Sequence, residues 1–364
     1  MSLLTLFGFI FFQGFAQKKE KPNLKDPEDG KLDLSDWIIE ANGFVPIPLL
    51  ITEPALGGFG GALGLAFLNK VPNSPPNITT GLGGITANGT WFVGGLHSHN
   101  VPEKGIRYRV GTLYSNLNIS LFRELPVIGE REYKFNFKAL PVFLSGLKQI
   151  KKSNWYVGAN YLFLWNRVGL AGELPDFVPD SQLDSYISNL GPVIQFDSRD
   201  NIFTPNKGTK FEVSLDFSLS WLGSDYEYTR FNLANYSYWS FKPSWVFGLR
   251  TEYQNVSDGA PFFLLPALNL RGIPAARYQG EQTVLTEIEN RIDINKRWSI
   301  MAFGGIGKAF DEFDNFSDRD LVYNIGTGYR YLIARKFGLR MGMDVAFGPD
   351  SWGYYIIFGS NWLR

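Results

Sequence analysis

"TKFEVSLDFSLSW", residues 209–221, alternates without a slip. Phe211, Val213, Leu215, Phe217, Leu219 and Trp221 fall on one face, and Lys210, Glu212, Ser214, Asp216, Ser218 and Ser220 on the other. A period of two belongs to an extended strand, whose successive side chains point to opposite faces. "FGLRMGMDVAF", residues 337–347, follows the same rule, with Phe337, Leu339, Met341, Met343, Val345 and Phe347 opposite Gly338, Arg340, Gly342, Asp344 and Ala346. Strands of soluble domains run about 5–6 residues, whereas these meet or exceed the roughly 9–11 that cross a bilayer at a tilt. Trp155 and Trp165 bracket one such segment, Trp221 and Trp239 close two more and Trp298 opens another, the placement of interfacial aromatic girdles. Open sheet edges in hydrocarbon would leave N–H and C=O groups without partners, so the sheet has to close. The pattern predicts an all-β fold, a transmembrane antiparallel β-barrel with apolar side chains toward lipid and charges toward the lumen.

Composition agrees. Aromatic residues make up 16% of the 364 residues, which favours strands, and the 35 basic residues are matched by 35 acidic ones, which speaks against nucleic acid as a partner. The chain has no cysteine, so disulfides and thiolate metal sites are excluded, as suits passage unfolded through an oxidising compartment. At the start, an apolar run from Leu3 to Phe15 broken by Gln13 precedes Gly14-Phe15-Ala16, a small-x-small cleavage pattern. Residues 1–16 read as a secretory signal peptide without a basic n-region, too short to span as an anchor. Residues 17–42 form a charged periplasmic linker, expected as a disordered tail with a short helix capped by Ser35 and stopped by Gly43; the barrel occupies 43–364.

Sixteen strands are expected, near residues 43–52, 58–68, 77–87, 90–100, 106–122, 132–147, 154–168, 186–198, 209–222, 227–240, 244–257, 281–294, 298–310, 322–333, 337–348 and 353–363. An even count puts both ends of the barrel on one side. The short turns "NKRW", "FTPNKG" and "KKSN" then face the periplasm, and the longer "AGELPDFVPDSQLD" and "DEFDNFSDRD" face outward. Prolines in "FVPIPLLIT" place the first strand at an edge.

One connection is too long and peculiar for a turn: "NLRGIPAARYQGE", residues 269–281. With the strand after it, "LRGIPAARYQGEQTVLTEIENRIDI" resembles the Arg-Gly signature loop and following strand of the BamA/TamA-like outer-membrane assembly superfamily, also called the bacterial surface antigen family. "FDSRDNIFTPNKG" is similar to that family's strand-end motif, with Asp197, Arg199, Asp200, Pro205 and Gly208 in order. "GYRYLIARKFGLRMGMDVAFG" resembles its penultimate strands, and "YYIIFGSNW" its C-terminal sorting signal, with Phe358, Gly359 and Trp362 matching. The likeness covers roughly residues 43–364 and implies a sixteen-stranded barrel whose Arg-Gly loop, Leu270-Arg271-Gly272, folds back into the lumen.

On the strand after that loop Val284, Ile288, Ile292 and Ile294 face one way, and Glu287, Glu289, Arg291 and Asp293 the other. Arg271 offers a planar fork to a carboxylate, and Gly272 lets the backbone pass close to the wall. By match to the family's Glu-x-Arg pattern, Glu289 is the expected partner, with Glu287 second. Gly305 stands where the family usually has a lumenal Asp, so a second acidic leg of the clamp is expected to be missing. The linker is too short for the periplasmic modules that family assembly factors carry, so the resemblance implies a form without them.

Other chemistry finds no support. His97 and His99 share a strand face without further ligands clustered nearby. No Gly-x-Ser-x-Gly elbow is present, and the glycines of "ALGGFGGALGLAF" lack the Lys-Ser/Thr of a phosphate loop. No enzyme activity, cofactor or metal is expected. The resemblance implies a bacterial outer-membrane protein that assists insertion or translocation of outer-membrane or surface proteins, through a weak seam between first and last strands. Its partners would be outer-membrane lipid, unfolded clients and envelope complex subunits. The alternative is a passive pore or a structural subunit of an outer-membrane complex.

Overall fold

A computed structural model describes residues 24–40, 43–71, 74–125, 129–170 and 182–362. The signal peptide expected at 1–16 lies outside the described residues. All sixteen strands are present: β1 (Phe44–Ile51), β2 (Gly60–Val71), β3 (Ser74–Thr86), β4 (Trp91–Val101), β5 (Ile106–Leu125), β6 (Gly129–Gln149), β7 (Trp155–Leu170) and β8 (Asp184–Asp197), then β9 (Gly208–Ser218), β10 (Tyr228–Lys242), β11 (Trp245–Val256), β12 (Gln282–Asp293), β13 (Trp298–Phe310), β14 (Val322–Ala334), β15 (Leu339–Phe347) and β16 (Trp352–Phe358). Each pairs antiparallel with its neighbours in chain order, giving a nearly closed barrel. Among the described residues no helix is long and apolar enough to cross a membrane; the strands form the wall.

Cross-strand register fixes which way each face points. Val45 pairs with Ala66 and Leu68 with Ile78 on the lumenal face, while Leu65, Phe67, Val93, Ile288 and Ile300 lie on the outside, each more than a third exposed. Such a band of exposed apolar side chains is stable only against lipid. Trp155, Trp239, Trp245 and Trp298 ring the short-turn end of the barrel and Trp91 and Trp352 the long-loop end, all of them exposed.

The lumen wall is divided. On β9 to β15 it is charged, with Lys210, Arg250, Glu252, Glu287, Arg330 and Asp344 all buried. On β1 to β4 it is apolar, with Val45, Ile47, Ala66, Leu68, Ile78 and Leu96 lining an internal cavity. A strict period of two anticipates the first half. On β1 to β4 glycine and apolar residues occupy both faces, and the polar ones, such as Thr79, His97 and His99 outside and Thr80, Ser98 and Asn100 inside, are split between them, so alternation alone cannot orient these strands.

Two strands end earlier than expected. β9 stops at Ser218, and Ser220–Leu222 forms a 3-10 turn with Gly223 at φ 86°, which leaves Trp221 highly exposed beyond the strand. β16 stops at Phe358, where Gly359 at φ 83° turns the chain inward. Trp362 is consequently buried in the lumen and does not extend the last strand.

The linker is also more structured than expected over residues 24–40. A hairpin closed by Asp26 N donating to Lys31 O (2.8 Å) and Asp33 N to Leu24 O (2.9 Å) leads into helix α1 (Ser35–Glu40). Ser35 is not the cap: its amide donates to Asp33 Oδ1 (2.7 Å), and its hydroxyl accepts from Lys336 N (3.0 Å). Gly43 closes the helix at φ 83°, its amide bonding Ile38 O at 2.6 Å, and a Cβ there would lie 1.9 Å from Leu68 O. Ile38 enters an apolar cluster with Val45, Leu68, Phe203, Ile333, Phe337 and Leu339. Arg297, in the β12–β13 turn, fixes the hairpin: Nε donates to Asp29 (2.6 Å), Nη1 to Asp33 (2.6 Å), and Nη2 to Asp26 (2.6 Å) and Asp29 (2.9 Å). Hydrogen bonding by Arg335 holds the Asp26 carboxyl well below the usual carboxylate range, Arg297 does the same for Asp29, and Asp33 stays low because bonds from Ser35 and Arg297 outweigh its burial.

Candidate functional site

The β11–β12 loop enters the lumen because its own apolar residues need cover. Leu268, Leu270 and Ile273 bury themselves against Leu285 and Val322, and Leu268 N donates to Tyr278 O at 3.0 Å. Arg271 is thereby aimed at the charged half of the wall. Its Nε donates to Glu287 Oε1 (3.1 Å) and its Nη1 to Asp344 Oδ2 (2.7 Å), with Glu289 Oε2 3.0 Å from Nη1. The guanidinium also stacks 3.4 Å from the ring centre of Phe303, a cation–π contact that occupies the face its hydrogen bonds leave free.

Gly272 sits at φ 85°, where an added Cβ would lie 2.9 Å from the Ala346 carbonyl carbon. Its N–H bonds the Tyr355 hydroxyl at 2.7 Å and its carbonyl accepts from Ser351 Oγ at 2.5 Å. Leu270, Arg271 and Gly272 thus have three different tasks: filling, pairing and close approach.

The clamp has a further acidic leg after all. Asp344, on β15, supplies the carboxylate that Gly305 cannot, and Arg330 holds it with two bonds of 2.6 and 2.9 Å. Gly305 has its own use: a Cβ there would meet Asn324 Oδ1 at 2.9 Å and Glu287 Cβ at 3.0 Å. The space admits Asn324, whose Nδ2 donates to Arg271 O (2.9 Å) and Glu287 Oε1 (3.1 Å). Asp344 was legible in the sequence only as a member of a polar face; its meeting with Arg271 depends on a contact across the lumen that strand periodicity does not encode.

Glu287 is the hub. Besides Arg271 and Asn324 it lies 3.5 Å from Arg250, and its Oε2 accepts from Trp362 Nε1 at 2.6 Å. Gly248 leaves room for that indole, since a Cβ would stand 2.8 Å from Trp362 Cζ3. The C-terminal motif therefore joins the loop through Trp362, while Phe358 ends β16 and lines the apolar cavity.

The strand-end motif builds the β8–β9 turn. Arg199 grips Asp197 with bonds of 2.9 and 3.1 Å. Asp200 Oδ1 accepts from Asn206 N (2.9 Å) and Lys207 N (3.3 Å), Pro205 is buried, and Gly208 at φ 100° brings the chain within 2.3 Å, measured from a hypothetical Cβ, of Ser198 O. The turn meets the C-terminal segment where Ser360 N donates to Phe203 O (2.6 Å). His97 and His99 lie on the outer face against Tyr108 with ring centres 5.2–5.9 Å apart, and no cluster of metal-ligating side chains occurs among the described residues.

The barrel closes without a ladder. Among the described residues β1 and β16 share no backbone pairing; a bond from the Thr52 hydroxyl to the Tyr354 carbonyl crosses the gap. Leu68 N donates to Gly43 O (2.8 Å), so Val45, Ile47, Leu49 and Ile51 turn their backbone groups to β2, and Phe44, Pro46, Pro48 and Leu50 turn theirs to the gap. Two of these four positions are prolines, which have no N–H. Gly359 N donates to Arg340 O (2.6 Å), which by the same alternation leaves Trp352, Tyr354, Ile356 and Phe358 facing β1.

The described strands thus form a sixteen-stranded barrel with a docked lumenal loop and no ladder between its first and last strands. The Omp85 superfamily domain matches residues 145–263. The fold is similar to BamA from Haemophilus ducreyi lacking POTRA domains 1-3, at 12% identity and a TM-score of 0.57, covering 86% of this chain and 69% of that one. It is also similar to CdiB from Escherichia coli, at 8% identity and a TM-score of 0.60, covering 86% of this chain and 62% of that one, less than two thirds of its length. No curated protein matches the sequence. The similarity thus consists of an Omp85 superfamily domain match over residues 145–263 and a barrel fold like those of BamA and CdiB.

Proposed function

We propose that this barrel assists the insertion or translocation of outer-membrane or surface proteins without making or breaking covalent bonds. The observation that carries the reading is the β1–β16 junction. In hydrocarbon each unsatisfied backbone group costs several kcal/mol, so an edge with no ladder favours pairing with an incoming strand by β-augmentation. Pro46 and Pro48 thin the donors on one edge, which weakens closure while Phe44 and Leu50 keep their N–H groups available.

A passive pore fits less well. The lumen is occupied by the Arg-Gly loop and by Trp362, and residues 24–40 cover the turns at one end. The clamp at Arg271 and the hairpin at Arg297 serve as supports that hold the wall rigid while the seam opens.

The test uses the absence of native cysteine. Thr52→Cys with Tyr354→Cys places a disulfide where the two edges touch. Oxidised protein reconstituted in liposomes is expected to lose client insertion, and reduction to restore it. Insertion equal in both redox states rejects the seam mechanism; a full outer-membrane proteome after depletion of the protein in cells rejects the function itself.

A further inference from the structure

We propose that the lumen binds a phospholipid of the periplasmic leaflet, its acyl chain in the apolar chamber beside β1 and its phosphate on Arg107 and Arg109. The chamber has a volume of about 440 Å³, within the roughly 300–1,000 Å³ of small-molecule sites. Val45, Ile47, Ala66, Ile78, Leu96 and Met341 form its walls. Barrel interiors are ordinarily polar, and an apolar wall facing water is costly unless something apolar covers it. Helix α1 covers one side, through Leu34 and Ile38, and space remains.

A second space of about 460 Å³ adjoins the first at the short-turn end and shares Arg107, Asp197 and Arg199 with it, while adding Asp200 and Lys336. Around the chamber the cations Arg107, Arg109, Arg199 and Lys210 face two carboxylates, Asp197 and Glu212, which leaves cationic charge in excess. Arg199 already holds the Asp197 carboxylate by two bonds, and Arg107 stands 3.6 Å from it. Arg109 makes no ion pair within 4 Å among the described residues; its opposite-charge neighbours are Glu212 and Asp197, both shared with other cations. An apolar chamber joined to an excess of arginine selects a ligand with a hydrocarbon chain and an anionic head: each buried CH₂ contributes about 0.8 kcal/mol, and guanidinium pairs bidentately with phosphate.

The chamber also has a route from the bilayer. Pro46 and Phe358 belong to its lining, and they sit on the two strands that no ladder joins. The short-turn end is periplasmic in the orientation expected from the turns, so the arginines lie at the level of that leaflet's headgroups. The site does not depend on client insertion, and a barrel with no client would bind the lipid equally.

The experiment uses the full chain in detergent with phosphatidylglycerol carrying a photoactivatable group on its acyl chain, and peptide mass spectrometry to place the adducts. Adducts are expected on Val45, Ile78 and Leu96 as well as on lipid-facing Leu65 and Val93. Ala66→Phe, which fills the chamber, and Arg109→Glu, which reverses a charge of its cationic rim, are each expected to cut the lumenal adducts about tenfold while leaving those at Leu65 and Val93. Gel mobility before and after heating shows that each variant is folded; if Ala66→Phe is not, Arg109→Glu carries the test. Adducts confined to Leu65 and Val93, or lumenal labelling unchanged in the folded variants, overturns the proposal. So does a chamber labelled by a photoactivatable outer-membrane strand peptide and not by the lipid, which assigns it to clients. Displacement of the lipid by inorganic phosphate alone overturns the acyl-chain half of the site.

Discussion

Trp362 Nε1 donates to Glu287 Oε2 at 2.6 Å across 75 positions of sequence, and through Glu287 the segment after the last strand is tied to Arg271 in the lumenal loop. Trp362→Phe keeps the ring and loses the donor. A buried hydrogen bond to a charged group contributes about 1.5–3 kcal/mol, and the folded-to-unfolded gel transition on heating should fall accordingly. An unchanged transition would show the bond to be incidental.

Arg271→Ala removes one cation from among Glu287, Glu289 and Asp344. Breaking a buried ion pair from one side costs about 3–5 kcal/mol. The loop should undock, and trypsin should then cut at Arg277 within it. Arg271→Lys should recover only part of the protection, because an ammonium cannot reach two carboxylates as a planar fork does. Equal protection in all three proteins would mean that the apolar residues Leu268, Leu270 and Ile273 dock the loop alone.

Gly248→Val places a branched side chain where the Trp362 indole lies, 2.8 Å from the first added carbon. Crowding of this kind costs about 1–3 kcal/mol. The indole should leave the lumen, and quenching of its fluorescence by a soluble quencher should rise relative to the parent. No change in quenching would place the strain elsewhere.

Pro46→Ala with Pro48→Ala returns two N–H donors to the edge that faces β16. Each backbone bond formed adds about 0.5–1.5 kcal/mol to closure. Liposome reconstitution should show slower client insertion together with greater heat resistance. Faster insertion would mean that the prolines brace the edge instead of weakening it.

The Arg297 clamp is expected to respond to acid. The carboxyls of Asp26, Asp29 and Asp33 are held below their ordinary value, so their contribution is fully present above the unfolded value near 4 and is lost as pH falls through the folded values. Residues 24–40 should resist an acid-active protease at pH 5 and become cleavable only below about pH 4. Release already at pH 6 would contradict the assignment. Arg297→Ala should expose Lys25 and Lys31 to trypsin at neutral pH.

Much of this architecture was readable from residues alone, for definite reasons. Segments such as 209–218 and 337–347 put charge on one face and hydrocarbon on the other, and a one-residue slip would carry Lys210 and Glu212 into lipid. The Arg-Gly loop stood out by its length. What was hidden depends on contacts between distant strands. Asp344 reads as one polar residue in a strand until Arg271 is seen beside it. "FGSNW" continues a plausible alternation, and the positive φ of Gly359 that turns it inward leaves no periodic trace. The hairpin at 24–33 reads as a charged linker because its three aspartates find their arginine in a turn far along the chain.

The position of Trp362 carries a consequence for assembly order. The Arg-Gly loop is synthesised before the final five strands, yet the carboxylate that grips it is completed by an indole lying beyond all sixteen. Docking of that loop can reach its full strength only once the whole wall has been threaded, so a firmly seated Arg271 certifies a finished barrel.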